Sequence, residues 1–242
     1  MDKRNVGWWK VLGMAVVITS FIACKKAPME QGNVILDSIP TALGAKTFLA
    51  LGDSYTIGQS VEEAQRFPNQ AAAMLRSEGF NISAPRIIAA TGWTTGNLLN
   101  ALNSNPPSGT YDMVTLLIGV NNQYQGRSLS EYKTEFGQLL AMAIQYAGNN
   151  RRKVVVLSIP DYGVTPFAAG SDRARIAEEI DYFNMAAKTI ASSNSVSFLD
   201  ITAISREAAN DQSLITYDGL HPSGKQYKRW ADLLVPMLRS SF

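Results

Sequence analysis

The 242-residue sequence contains one cysteine and one histidine. A single thiol closes no internal disulfide, and without a cluster of histidines and cysteines there is no ligand set for zinc or another transition metal. No metal or other cofactor is therefore expected. Net charge is nearly absent as well, because 22 Lys and Arg face 20 Asp and Glu. Residues 1–23 hold Lys3, Arg4 and Lys10 against Asp2, which leaves 19 basic and 19 acidic residues beyond them. Such a neutral body lacks the basic stripe that neutralises phosphates, which argues against nucleic acid as a partner. No apolar run reaches the roughly 20 residues that span a bilayer. What is present, 46% apolar and 17% charged residues, is the composition of one folded domain.

The N-terminus carries a basic stretch, "MDKRNVGWWK", then thirteen mostly apolar residues, "VLGMAVVITSFIA", then Cys24. This is the layout of an export signal. The stretch "FIAC" resembles the lipobox of bacterial lipoproteins, with Phe21 where an aliphatic residue is usual. The resemblance implies cleavage before Cys24 and a lipid anchor on its thiol, so a membrane partner is expected at that residue. Lys25, rather than aspartate, after the cysteine resembles the sorting signal for the outer membrane of a Gram-negative envelope. The expected organisation is a signal peptide at 1–23, a flexible tether at 24–45 with little periodicity, and a single domain at 46–242.

Within that domain short apolar runs alternate with helical patterns. Strands are predicted at about 46–51, 86–90, 111–118, 153–159 and 195–199, with helices at about 68–78, 94–103, 128–147 and 172–192 and a short one near 203–209. The connections are long enough for helical crossovers and too long for hairpins. A parallel, doubly wound α/β sheet with helices on both faces follows. In this architecture ligands bind where the loops converge beyond the carboxyl ends of the strands. Those loops read "GDSYTIG", "TGWTTG", "GVNNQYQG", "PDYGVTP" and, past the short helix, "TYDGLHPSGK".

Ser54 follows the first strand, and a serine hydroxyl becomes a useful nucleophile only when a base takes its proton. The sole side chain with an ordinary pKa near neutrality is His221. Taken alone, "GDS" also reads as a helix cap and His221 as a structural loop residue. A histidine acting as base needs an acceptor on its other nitrogen, and Asp218 stands three residues before it. Pro222 keeps His221 extended, while Ser223 and Gln226 have capping-box spacing. Tyr227, Trp230, Ala231, Leu234 and Leu238 then form a helical stripe that anchors this loop on the sheet. Donors for an oxyanion could come from the backbone N–H groups of Ser54 and Gly92 and the side-chain amide of Asn121. Trp93 and Tyr124 are candidates for a pocket wall. "GDSYTIGQS" lacks the lysine and spacing of a phosphate-binding loop.

In this order the blocks Gly52-Asp53-Ser54, Gly92, Gly119-Val120-Asn121 and Asp218-Gly219-Leu220-His221 resemble the SGNH, or GDSL-type, hydrolases over roughly residues 46–240. The resemblance implies a three-layer α/β/α sandwich with five parallel strands in flavodoxin-like order. It also implies Ser54 as nucleophile, His221 as base, Asp218 as its orienting carboxylate, and Ser54, Gly92 and Asn121 as the oxyanion hole. Tyr55 stands in place of the leucine of GDSL, and Asn122 in place of an aspartate common in the third block. The expected function is a metal-independent serine esterase acting on short acyl or acetyl esters, on small molecules or glycans. The alternative is a cell-surface module that binds a glycan or peptide at the same strand ends without turnover.

Overall fold

Runs such as Phe48–Gly52 (β1), Met113–Leu117 (β3) and Val154–Leu157 (β4) are apolar on both faces, as a strand covered by helices on either side must be. Arg86–Ala89 (β2) and Ser197–Leu199 (β5) are less buried and take the edges. The five strands are parallel in the order β2-β1-β3-β4-β5. The computed structural model describes residues 44–240, and this flavodoxin-like order matches the one expected for them.

The helices are α1 (Ser54–Ile57), α2 (Phe67–Ser77), α3 (Thr95–Ser104), α4 (Val120–Tyr124), α5 (Leu129–Tyr146), α6 (Arg173–Ser193), α7 (Thr202–Arg206) and α8 (Gly224–Arg239). The chain moves from β1 to β2 in one direction across the sheet and from β2 through β5 in the other. Right-handed crossovers therefore put helices on opposite faces. On one face α2 meets α8 through Phe67, Tyr227 and Trp230, whose rings lie 5.1–6.3 Å apart. On the other, Tyr132 of α5 packs on Phe183 of α6 at 4.7 Å. The predicted stripe of α8, Tyr227 through Leu238, is fully buried. Its cap is only half a capping box: Ser223 Oγ accepts from Gln226 N, while the Gln226 side chain donates to the carbonyl of Leu214.

Register places the site. Gly52, Ala89 and Leu117 are level across β2-β1-β3, so the loops that carry Ser54, Gly92 and Asn121 leave the sheet at one height. Two glycines allow this crowding. A Cβ at Gly52 would lie 2.1 Å from Thr56 Oγ1 and 2.4 Å from the Leu117 carbonyl. Gly119 has φ +133°, and a Cβ there would stand 2.6 Å from the ring of Tyr132. Gly52→Ala should therefore force β1 away from β3 and cost about 1–3 kcal/mol, read as a lowered urea midpoint. An unchanged midpoint would show that the close approach is not a constraint.

Candidate active site

The first loop turns sharply because Asp53 caps α1. Its Oδ1 accepts from Tyr55 N at 3.0 Å, and its carbonyl accepts from Thr56 and Ile57. The helix-cap reading of "GDS" thus applies to Asp53 and leaves Ser54 free for another role. Asp53 is fully buried, and Oδ2 has no partner among the described residues. Burial raises its pKa to about 7, against the opposing pull of its backbone hydrogen bonds. Ser54, the first residue of the helix, is 4% exposed.

The second half of the site is built within residues 216–221. Asp218 Oδ1 accepts from Thr216 Oγ1 (2.7 Å), Leu220 N (2.8 Å) and His221 N (2.9 Å), which ties the loop around the carboxylate. Asp218 Oδ2 meets His221 Nδ1 at 2.7 Å. Partial burial works against the Asp218 charge, but the hydroxyl of Ser60 and the other donors outweigh it and hold the carboxyl well below the usual range. An ionised carboxylate can only accept, so the imidazole proton lies on Nδ1 and Nε2 is left as an acceptor. The ring of His221 packs against that of Tyr55, next in sequence to Ser54, with centroids 5.2 Å apart and planes tilted by 53°.

Ser54, Gly92, Asn121 and His221 line one cavity of about 120 Å³. Val120, Leu220, Tyr124, Tyr162 and Phe167 supply apolar wall, the last three as a cluster with ring centroids 5.8–6.3 Å apart. No hydrogen bond joins Ser54 Oγ to His221 among the described residues. The N–H groups of Ser54 and Gly92 have no acceptor among the described residues either. Asn121 Nδ2 donates to the Trp93 carbonyl at 3.0 Å, which fixes the amide and leaves its second N–H available. Tyr124 lines the cavity as expected. Trp93 contributes its carbonyl instead, while its ring packs on the core.

The structure thus brings all five predicted residues of the domain together, Asp218 lying behind His221; Cys24 falls outside the described residues. Two further residues have roles that the sequence did not show. Buried Asn122 holds the start of α3: its Oδ1 accepts from Thr95 N at 3.0 Å and its Nδ2 donates to Thr95 Oγ1 at 2.6 Å. The departure from aspartate at 122 thus supports the loop that carries Gly92. Ser60 donates to Asp218 Oδ2 at 2.6 Å. Its only signal in sequence was its place in the loop after Ser54.

A serine, a histidine backed by a carboxylate, and unclaimed N–H donors at the carboxyl edge of a flavodoxin-like sheet are the parts of an SGNH-type α/β hydrolase. Residues 50–229 match the model of the GDSL-like lipase/acylhydrolase family. The chain belongs to that family and is a hydrolase of ester bonds. No curated protein matches significantly. Among solved structures, TesA is similar at TM-score 0.65 and 18% identity, covering 81% of this chain and 100% of its own. The psychrotrophic esterase EstA from Pseudoalteromonas sp. is similar at 0.59 and 17%, covering 81% and 97%. Axe2, an acetylxylan esterase from Geobacillus stearothermophilus, is similar at 0.60 and 18%, covering 81% and 95%.

Because folding raises the Asp53 pKa, the neutral form is the favoured one. Its contribution is complete below the unfolded value and is lost as pH rises through about 7. Asp53→Asn keeps the cap without the charge. Relative to wild type it should gain stability between pH 4 and pH 8, on the order of 4 kcal/mol, seen as diverging urea midpoints. A difference independent of pH would mean that Asp53 is ionised in the fold.

Proposed function

We propose that the protein is a serine esterase working through an acyl-enzyme, with Ser54 as nucleophile, His221 as base and Asp218 as its orienting carboxylate. The observation that carries this reading is the 2.7 Å contact of Asp218 Oδ2 with His221 Nδ1, behind a ring that shares a cavity wall with Ser54. Ser54 Oγ would add to the ester carbonyl while Nε2 takes its proton. The imidazolium, stabilised by Asp218, then protonates the departing alcohol. Water attacks the acyl carbonyl as Nε2 accepts its proton, and that proton returns to Ser54 as the acid leaves. The N–H groups of Ser54 and Gly92 and the amide of Asn121 would hold the oxyanion in both tetrahedral intermediates.

The dimensions favour a short acyl group. The cavity is small, about 120 Å³, and the cluster of Tyr124, Tyr162 and Phe167 forms part of its wall. An open groove of about 480 Å³ also includes Tyr124 and runs past Arg127, Asp172, Arg175, Glu179 and Tyr182. A long alkyl chain there would desolvate charged groups, which is unfavourable. The charges are balanced, with Arg175 on Glu179 at 2.7 Å and Arg127 on Glu131 at 3.3 Å. Neutral hydroxyls beside a tyrosine face suit such a lining, so acetyl or similar esters of glycans are the substrates this surface favours. The acetylxylan esterase among the fold neighbours is consistent with that choice.

A fluorophosphonate probe should label wild type and not Ser54→Ala. Ser54→Ala and His221→Ala should each lower kcat on p-nitrophenyl acetate by about 10⁴-fold or more, and Asp218→Ala by less. The acetate should exceed the palmitate in kcat/KM by at least about tenfold. Absence of labelling in folded wild type would sink the mechanism, and a preference for palmitate would sink the short-acyl assignment.

We also infer from the leader sequence that Cys24 is lipidated and ties the domain to the cell envelope, at the outer membrane if the host is Gram-negative. Cells given radiolabelled palmitate should label the wild-type protein and not Cys24→Ala. Equal incorporation would remove the anchor.

A further inference from the structure

Ser54 and His221 belong to loops far apart in sequence, and no direct hydrogen bond sets the distance between them among the described residues. One side-chain bond does connect the two loops at the carboxylate. Ser60 Oγ, six residues beyond Ser54, donates to Asp218 Oδ2 at 2.6 Å, and that same oxygen receives His221 Nδ1 at 2.7 Å. All other donors to Asp218 come from its own loop, Thr216, Leu220 and His221. Ser60 is therefore the point at which the nucleophile's loop grips the histidine–aspartate pair.

The backbone shows that this placement is specific. Val61 N donates to the Gly58 carbonyl, so Gln59 and Ser60 occupy the centre of a turn. Ser60 has φ +66° there, where glycine or asparagine is the usual residue. The other two non-glycine residues with positive φ among the described residues, Asn149 and Ser195, follow the ends of the long helices α5 and α6, a common site for left-handed residues. Ser60 has no such helix end to explain it, since Gly58 already caps α1 in the left-handed region. What the serine supplies that glycine would not is the hydroxyl on Asp218.

We propose that Ser60 is a positioning residue: its hydroxyl clamps Asp218 Oδ2, setting the spacing of Ser54 and His221 and slowing the opening of the Asp218–His221 hydrogen bond. It acts through Asp218 and does not line the cavity shared by Ser54 and His221. The inference rests on the esterase mechanism above for its effect on rate, but the clamp itself can be read independently.

Ser60→Gly is the apt variant, because glycine relieves the positive φ and the thermal midpoint should be unchanged or higher. On p-nitrophenyl acetate it should lower kcat about tenfold with KM within about twofold, a loss confined to the chemical step. In an Asp218→Ala background the same change should cost less than about twofold, since the partner is gone. Equal losses in the two backgrounds, or no loss in wild type, would overturn the proposal. His221 is the only histidine, so a low-field imidazole N–H resonance in NMR spectra belongs to it alone. In Ser60→Gly that proton should exchange with water several-fold faster, and an unchanged exchange rate would overturn the clamp. Should wild type fail to hydrolyse esters at all, the mechanism falls, while the exchange rate still decides whether Ser60 holds the pair closed.

Discussion

The Asp218 carboxylate accepts five hydrogen bonds, three on Oδ1 from its own loop and two on Oδ2, from Ser60 and the His221 ring. A carboxylate so occupied stays ionised and keeps one orientation, even though part of it faces water. Because it can only accept, it dictates which imidazole nitrogen carries the proton. The direction in which His221 can work as a base follows from that single choice. The surrounding fold supplies the constraint that makes it useful: α8, capped at Ser223 and pinned by Trp230 and Tyr227, begins just past the histidine, and Pro222 separates the two.

Register does the corresponding work on the other side of the cavity. Three strand ends lie level, and each loop leaves the sheet by a route set by steric demand. Gly52 lets the chain pass within contact of Thr56 and Leu117 before Ser54. Gly119 lets it clear Tyr132 before Asn121. The serine, the amide and the open N–H of Gly92 therefore converge without long side chains having to reach. Short side chains have few rotamers to lose, so the geometry costs little entropy to hold.

The sheet was legible because β1, β3 and β4 are buried on both faces and read as unbroken apolar runs, and because helical crossovers fit only parallel strands. The site was legible where chemistry restricts residue type: one histidine in the chain, an aspartate three residues before it, a serine and an asparagine just past two strand ends. Ser60 was not legible, because a serine in a turn is ordinary and its partner lies 158 residues away. Asn122 was visible only as a departure from a family pattern. Its work on Thr95 depends on how α3 meets α4, which no local sequence signal encodes. Gln226 fits a capping box by spacing, yet its side chain finds the Leu214 carbonyl because the preceding loop folds back over the helix start. Trp93 stands beside the right glycine, and its ring turns to the core because burying an indole outweighs lining a small cavity.

Two aspartates within the same site have opposite fates, and the difference explains why only one can serve histidine. Asp53 sits on the nucleophile's own turn and is sealed from water with one oxygen unpartnered, so burial pushes it toward the neutral acid. A neutral carboxyl could donate to an imidazole, but it would do little to favour the imidazolium that must form when a serine loses its proton. Asp218 has less burial, more donors and the His221 ring within hydrogen-bond range, so its charge is retained where that imidazolium would appear. The buried aspartate serves shape, through the cap that starts α1 at Ser54, and the partly exposed one serves charge. Exchanging those environments would leave both aspartates in the sequence and remove the electrostatic difference between them.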